Sequence, residues 1–317
     1  MRSFHDRISV LMLAIFFLSA VGQTQDKTSV DDIISGAAEQ RKAYINEFKN
    51  LMSEEKKTFE IYNKHGEVKK KRSVQSIFIV YQLIKDDRSV AEYRNVISVD
   101  QKKLGDADKR AQDFFEEIVK VDSSKKELEK LDKEGSRYDE EVSLNGLTLF
   151  QSVAIAENMR PLFEFKLDGN EKLGEHDVYA ISYRQIKESV YISTDPKNAA
   201  SDRKLTLVYD VDFDGNRNVN GRLRGKFWID TITLQVWKEL RVMTIQPSGF
   251  TTPVVFAENT FEYGPSDFGM LTPKKLTYMQ YKIDKKTKEA RKEASVTFYY
   301  TNFTKPDVEV KSSEVKN

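Results

Sequence analysis

The densest group of oxygen-bearing side chains in the sequence is Asp210-Val211-Asp212-Phe213-Asp214-Gly215-Asn216-Arg217-Asn218. It matches D-x-D-x-D-G, the front half of a calcium loop, where oxygens at alternate positions suit a hard cation and the glycine permits a sharp turn. Asn218 stands at the ninth position, but Gly221 stands at the twelfth, where a bidentate Glu closes such a loop. Asp210, Asp212, Asp214, Asn216 and Asn218 are therefore candidate ligands for Ca2+ in an incomplete set. The same residues also read as a strand end followed by a hairpin turn at Asp214-Gly215, and both readings stand. No other cofactor is implied. Beyond residue 22 there are two histidines, His65 in a KHGE turn and His176 in GEHD, and neither begins an H-E-x-x-H helix. There is no G-x-S-x-G, no glycine-rich phosphate loop and no cysteine, so thiol catalysis, disulfides and zinc-thiolate sites are excluded. No catalytic residue emerges, and the chain reads as non-catalytic.

The two tryptophans form the other conspicuous group. In residues 223–229 alternation puts Leu223, Gly225, Phe227 and Ile229 on one face, and Arg224, Lys226 and Trp228 on the other. With a turn centred between Thr231 and Ile232, Trp228 opposes Gln235 and Trp237 opposes Lys226. Both tryptophans then share a face as diagonal neighbours. Trp228, Trp237 and Phe227 are the candidate ligand or partner contacts. The alternative is that helices or lysine stems cover the tryptophans as core.

These residues need elements to hold them. Residues 1–22 have a basic start (Arg2, Arg7), an apolar run over 8–21 and small residues before Gln23. That is the form of a secretory signal peptide cleaved near Gly22, and the run is too short to span a bilayer. The expected localisation is periplasmic or secreted, with no transmembrane span in the mature chain. Segment 23–54 carries an amphipathic helix over 30–52, capped by Ser29. Residues 55–304 read as a single α+β domain. Strands are expected at 58–62, 74–84 and 93–99, and a helix capped by Asp106 follows. The charged stretch at about 122–142 reads as a solvated helical insertion, and 144–158 as helical. Nine strand-like runs between short turns then imply an antiparallel meander: 162–166, 178–183, 190–192, 205–213, 223–229, 234–245, 254–263, 275–283 and 294–303. Residues 305–317 form a polar tail.

The 51 Lys and Arg of the 317-residue chain nearly cancel its 50 Asp and Glu, which argues against nucleic-acid binding by bulk charge. Apolar residues at 39% with 33 Phe and Tyr exclude a disordered chain and a polytopic membrane protein.

Three segments together resemble a known group. They are Tyr93-Arg94-Asn95-Val96 through Val99-Asp100, then Gly225-Lys226-Phe227-Trp228-Ile229-Asp230 with Thr233 and Trp237-Lys238-Glu239, and Tyr299-Tyr300-Thr301-Asn302-Phe303. The middle one resembles the "G-x-h-W-I-D-x-x-T-x-x-h-x-x-E" hairpin of LolA/LolB-like lipoprotein-localisation proteins. All three resemble envelope proteins carrying such a domain after a helical extension. The resemblance spans about residues 55–304. It implies a large curved antiparallel β-sheet, a half-barrel with helices packed on its concave side. It also implies a cavity for a hydrophobic ligand such as a lipid or lipoprotein acyl chain. An envelope protein–protein interaction module with a filled core is the alternative, and a hydrolase is less supported.

Overall fold

The computed structural model describes residues 28–49, 51–86, 89–142, 144, 146–195, 207–213, 215 and 219–305. Residues 1–27, which include the expected signal peptide, and the tail beyond 305 lie outside them. Helix α1 (Val30–Glu47) opens as the sequence dictates. Ser29 Oγ accepts from Asp32 N at 3.1 Å, and the Asp32 carboxylate accepts from Ser29 N in return. Ile33, Ile34, Ala37, Tyr44 and Phe48 recur at helical spacing and are buried. The helix ends earlier than its periodicity predicts, because Met52 already begins strand β1 (Met52–Tyr62).

The chain continues through β2 (Val68–Gln82), β3 (Val90–Val99), β4 (Lys102–Lys103), α2 (Ala107–Ile118) and α3 (Ser124–Gly135). Three short 3-10 turns follow within residues 147–162. Then come β5 (Phe163–Leu173), β6 (His176–Gln185), β7 (Ile192–Ser193), β8 (Leu207–Val208), β9 (Asn220–Asp230), β10 (Val236–Gln246), β11 (Val254–Pro265), β12 (Leu271–Ile283) and β13 (Ala290–Thr304).

Eleven strands make one curved antiparallel sheet, in the order β4-β3-β2-β1-β13-β12-β11-β10-β9-β6-β5. Its two edge strands do not pair, so the sheet is not closed into a barrel. β7 and β8 form a separate parallel pair. The register carries one row across eight strands: Ile181, Phe227, Glu239, Phe261, Leu276, Phe298, Lys57 and Val74 are successive partners. Side chains in one row share a face, and every member of this row is buried.

That face is covered by α1 and residues 146–162. Ile33, Ile34 and Ala37 pack with Val153, Ile155, Met159, Phe227 and Met243; Tyr44 and Phe48 pack with Phe59, Phe78 and Phe298. The opposite face of β2 and β3 carries a second helical layer, where Ile118 and Leu131 of α2 and α3 pack on Tyr93, Ala91 and Ile79. The two layers follow from alternation: Phe78 and Val80 point one way, Ile79 and Tyr81 the other. The charged insertion is therefore not simply solvated. Leu131 is fully buried, and the buried Glu127 carboxylate accepts from Tyr81 Oη, Ile84 N and Lys85 N. The described residues of 144–158, expected to be helical, form short 3-10 turns rather than an α-helix. Gly146 and Ser152 both adopt left-handed backbone, at φ 75° and 47°, which interrupts helical propagation.

Candidate ligand-binding site

The space between α1 and the sheet is largely filled. Thr148, Ser152, Val153, Ala154, Ile155 and Met159 are all buried there. This segment is fastened at two buried charged groups on the sheet. At the first, Arg94 Nε contacts both Glu55 oxygens at 2.8 and 3.0 Å, and its Nη2 donates to Glu92 at 2.7 Å. Glu92 also accepts from Gly146 N, Thr148 N and Thr148 Oγ1. Burial works to raise the Glu92 carboxyl, but Arg94 and the Thr148 donors outweigh it and hold it below its ordinary value. Nearby, Lys57 Nζ meets Asp139 at 2.6 Å.

At the second, Glu239 accepts four donors. Oε1 takes Tyr183 Oη and Arg241 Nε, both at 2.9 Å; Oε2 takes Ser152 N and Arg241 Nη2, both at 3.0 Å. Arg241 lies over the Phe261 ring at 4.6 Å. Burial would lower the Arg241 guanidinium, and Glu239 instead raises it above its ordinary value. Both groups contain Glu-x-Arg, as Glu92-Tyr93-Arg94 and Glu239-Leu240-Arg241. On a strand this spacing puts opposite charges on one face. That signal was present in the sequence, but nothing in it said that the face is the buried one.

The hairpin residues behind the resemblance acquire physical roles. A Cβ on Gly225 would lie 2.1 Å from Leu240 O and 2.5 Å from the Tyr183 ring, so glycine lets Tyr183 cross the strand to reach Glu239. Asp230 Oδ1 caps the turn, accepting from Thr233 N at 2.7 Å, Ile232 N at 2.9 Å and Thr233 Oγ1 at 3.1 Å. Burial pushes the Asp230 carboxyl up, but these donors prevail and keep it below its ordinary value.

The tryptophan register is corrected. Trp228 is opposite Lys238, not Gln235, and a bulge between Val236 and Lys238 takes Trp237 out of regular pairing. Trp228 stays on the outer face, donating to Glu171 at 2.8 Å with the Lys226 and Lys238 ammoniums over its ring. Trp237 packs against the core cluster around Tyr44 and Phe48, with its ring 3.8 Å from that of His176. Phe227 is fully buried and stacks on Tyr183 at 4.6 Å. The three candidates thus do not form one surface.

A recess of about 430 Å³ opens where β10 ends, β11 begins and β12 ends. Its apolar wall comprises Val211, Phe213, Ile245, Phe256 and Ile283, and Val211, Ile245 and Phe256 are core residues. Tyr281, Lys282, Lys285, Glu293, Asp210 and Asp212 supply its polar lining. The incomplete calcium motif thus borders the recess through Asp210 and Asp212, while Asp214, Asn216 and Asn218 lie outside the described residues. Asp212 Oδ1 accepts from Gly215 N at 2.9 Å, an Asx-turn bond. Among the described residues, no three His, Cys, Asp or Glu side chains gather closely enough to hold a metal ion, and no helix is long and apolar enough to cross a membrane.

An open curved sheet with helices on its faces defines the class: an α+β half-barrel. No family model and no curated protein matches the chain. Among solved structures, it is similar to a domain from Vibrio parahaemolyticus named for outer-membrane lipoprotein sorting, at 10% identity and TM-score 0.38, covering 87% of this chain and 94% of that one. It is also similar to a LolA superfamily protein from Nitrosomonas europaea, at 8% identity and TM-score 0.33 over 88% and 94% of the two chains. A DUF1329 family protein from Desulfovibrio piger gives 12% identity and TM-score 0.35 over 87% and 94%.

Proposed function

We propose that the chain is a secreted or periplasmic, non-catalytic protein of the cell envelope that holds a hydrophobic ligand, such as a lipid or lipoprotein acyl chain, in the recess beside β10–β12. The observation that carries this reading is the recess itself. Its volume, about 430 Å³, falls in the range of small-molecule sites, roughly 300–1,000 Å³. Its floor includes the core side chains Val211, Ile245 and Phe256, so an apolar group entering it meets preformed apolar surface beneath a polar rim. Lys282, paired with Glu293 at 3.6 Å, and Lys285 share the rim with Asp210 and Asp212, a mixed-charge edge that suits the polar end of an amphiphile. The ligand position differs from the one the resemblance implies, because residues 146–162 occupy the space under α1. Trp228, already covered by two lysines and bonded to Glu171, is poorly placed as a partner anchor. The filled interior favours the second reading, an envelope protein–protein interaction module.

The test is to express the chain with its N-terminal segment in a bacterial envelope and purify it without detergent. Solvent extraction and mass spectrometry then identify what it carries. A lipid recovered near one per protein, and lost from Ile283→Arg while the fold survives, supports the recess as its site. An empty, folded wild-type protein overturns the carrier reading, and crosslinking to an envelope partner then establishes the second.

A further inference from the structure

A second, smaller cavity of about 130 Å³ lies between α1, the turn at residues 151–152 and the loop at residues 268–271. It is separate from the recess above, and what lines it is not neutral. Arg41 stands in its wall. The guanidinium donates through Nε to Gln151 O at 2.8 Å. Among the described residues, neither Nη1 nor Nη2 has a hydrogen-bond partner, and no carboxylate lies within ion-pairing distance. The nearest source of compensation is Glu239, but its capacity is used. Its four lone-pair positions accept Tyr183 Oη, Ser152 N and two Arg241 nitrogens. Glu239 therefore compensates Arg241, and the half-buried Arg41 has no carboxylate of its own. The cavity wall also carries Ser152, a fully buried residue whose hydroxyl has no partner. Buried hydroxyls are ordinarily satisfied. Phe268 and Met270 contribute an apolar side. Glu47 also lines the cavity; its side chain is 62% exposed, with Lys305 at 4.0 Å.

We infer that this cavity binds an oxyanion, the carboxylate or phosphate group of a small molecule or of a lipid headgroup, held by the two Nη donors of Arg41. A planar fork with two free donors matches two oxygens of one anion, and such charge-assisted bonds are the strong ones. The volume admits a headgroup and not a chain. Burial, and after it the Arg241 charge, holds the Arg41 guanidinium below its ordinary value.

The experiment is calorimetric titration of the full mature chain with inorganic phosphate and, separately, with lysophosphatidic acid below its micelle concentration. The expected result is saturable binding of one anion per chain that weakens with added salt. Arg41→Gln should weaken it by roughly tenfold or more. Arg41→Lys, which keeps the charge but not the fork, should weaken it less. Equal affinity for the two probes identifies a free anion as the ligand; much tighter binding of the lipid identifies a headgroup. If wild type binds neither probe at millimolar concentration, or if Arg41→Gln binds as wild type does, the inference fails. Should Arg41→Gln not fold, unchanged affinity in Arg41→Lys overturns it. Ile283→Arg, in the other recess, should leave anion binding unchanged, so this site and the hydrophobic recess stand or fall separately.

Discussion

Glu239 joins three parts of the chain that are far apart in sequence: Tyr183 on β6, Ser152 in the covering segment, and Arg241 on its own strand. Its removal strands a fully buried guanidinium, whereas loss of Tyr183 Oη removes one donor of four. Deleting one partner of a buried pair costs about 3–5 kcal/mol, and deleting one ordinary hydrogen bond about 1 kcal/mol. Glu239→Gln should therefore destabilise the protein several-fold more than Tyr183→Phe, as read from urea unfolding midpoints; equal effects would mean that the charge pair is unimportant. Much of this site was legible locally. The glycine, aspartate, threonine and glutamate of the hairpin motif all turn out to act through short-range geometry: a strand crossing, a turn cap and a paired acid. What could not be read was direction. The register read from the sequence puts Glu239 with the tryptophans, on the face away from Phe227; the bulge beside Trp237 instead pairs Glu239 with Phe227 on the covered face. A charged residue on a strand reads as solvent-facing until a second layer is known.

The elements divide along the same line. Helix α1 is announced by its cap and its apolar spacing, and both appear as the sequence predicts. Its end was misjudged because Ser53, Glu55 and Lys57 point inward on β1, so the strand lacks the apolar alternation that would have claimed it. The insertion was misjudged for the converse reason. In α3, KKELEKLDKE offers two leucines among charges, and only one of them, Leu131, reaches full burial. Leu131, together with Ile118, Phe114 and Phe115 of α2 around Tyr93 and the Glu127 carboxylate at the end of β2, fastens the second helical layer. Leu131→Ala should cost about 2–5 kcal/mol, the range for a large-to-small change at a fully buried site. Hydrogen exchange should show protection lost in α2 and α3 first, with β9–β12 little changed at low denaturant. Uniform loss across the sheet would show instead that α3 and the sheet unfold as one unit.

The whole molecule is closed by a pairing that no local pattern specifies. β13, the last strand, lies against β1, from Glu54↔Thr301 to Ile61↔Ala294, and so joins the first hairpin to the meander. A meander read along the sequence leaves those two edges open; the structure pairs them and puts Glu55 and Lys57 under the covering helix. Stability then depends on carboxylates that must stay charged while buried. Glu92 and Asp230 are both held below their ordinary values of 4.5 and 3.8 in the folded protein. A depressed folded value means that the unfolded chain binds the proton more tightly. The contribution is therefore complete above the unfolded values and is lost as pH falls through the lower folded ones. The urea midpoint should be steady from neutral pH down to about pH 5 and then decline through pH 4 to 3. Far-UV dichroism should persist longer than the near-UV signal, because charged groups under the covering segment protonate while the strand ladders remain. Glu92→Gln should lower the midpoint at pH 7 and flatten the acid decline, since the group that titrates is gone. A midpoint that rises on acidification, or a variant with an unaltered acid slope, would show that these buried pairs do not set the pH response of the fold.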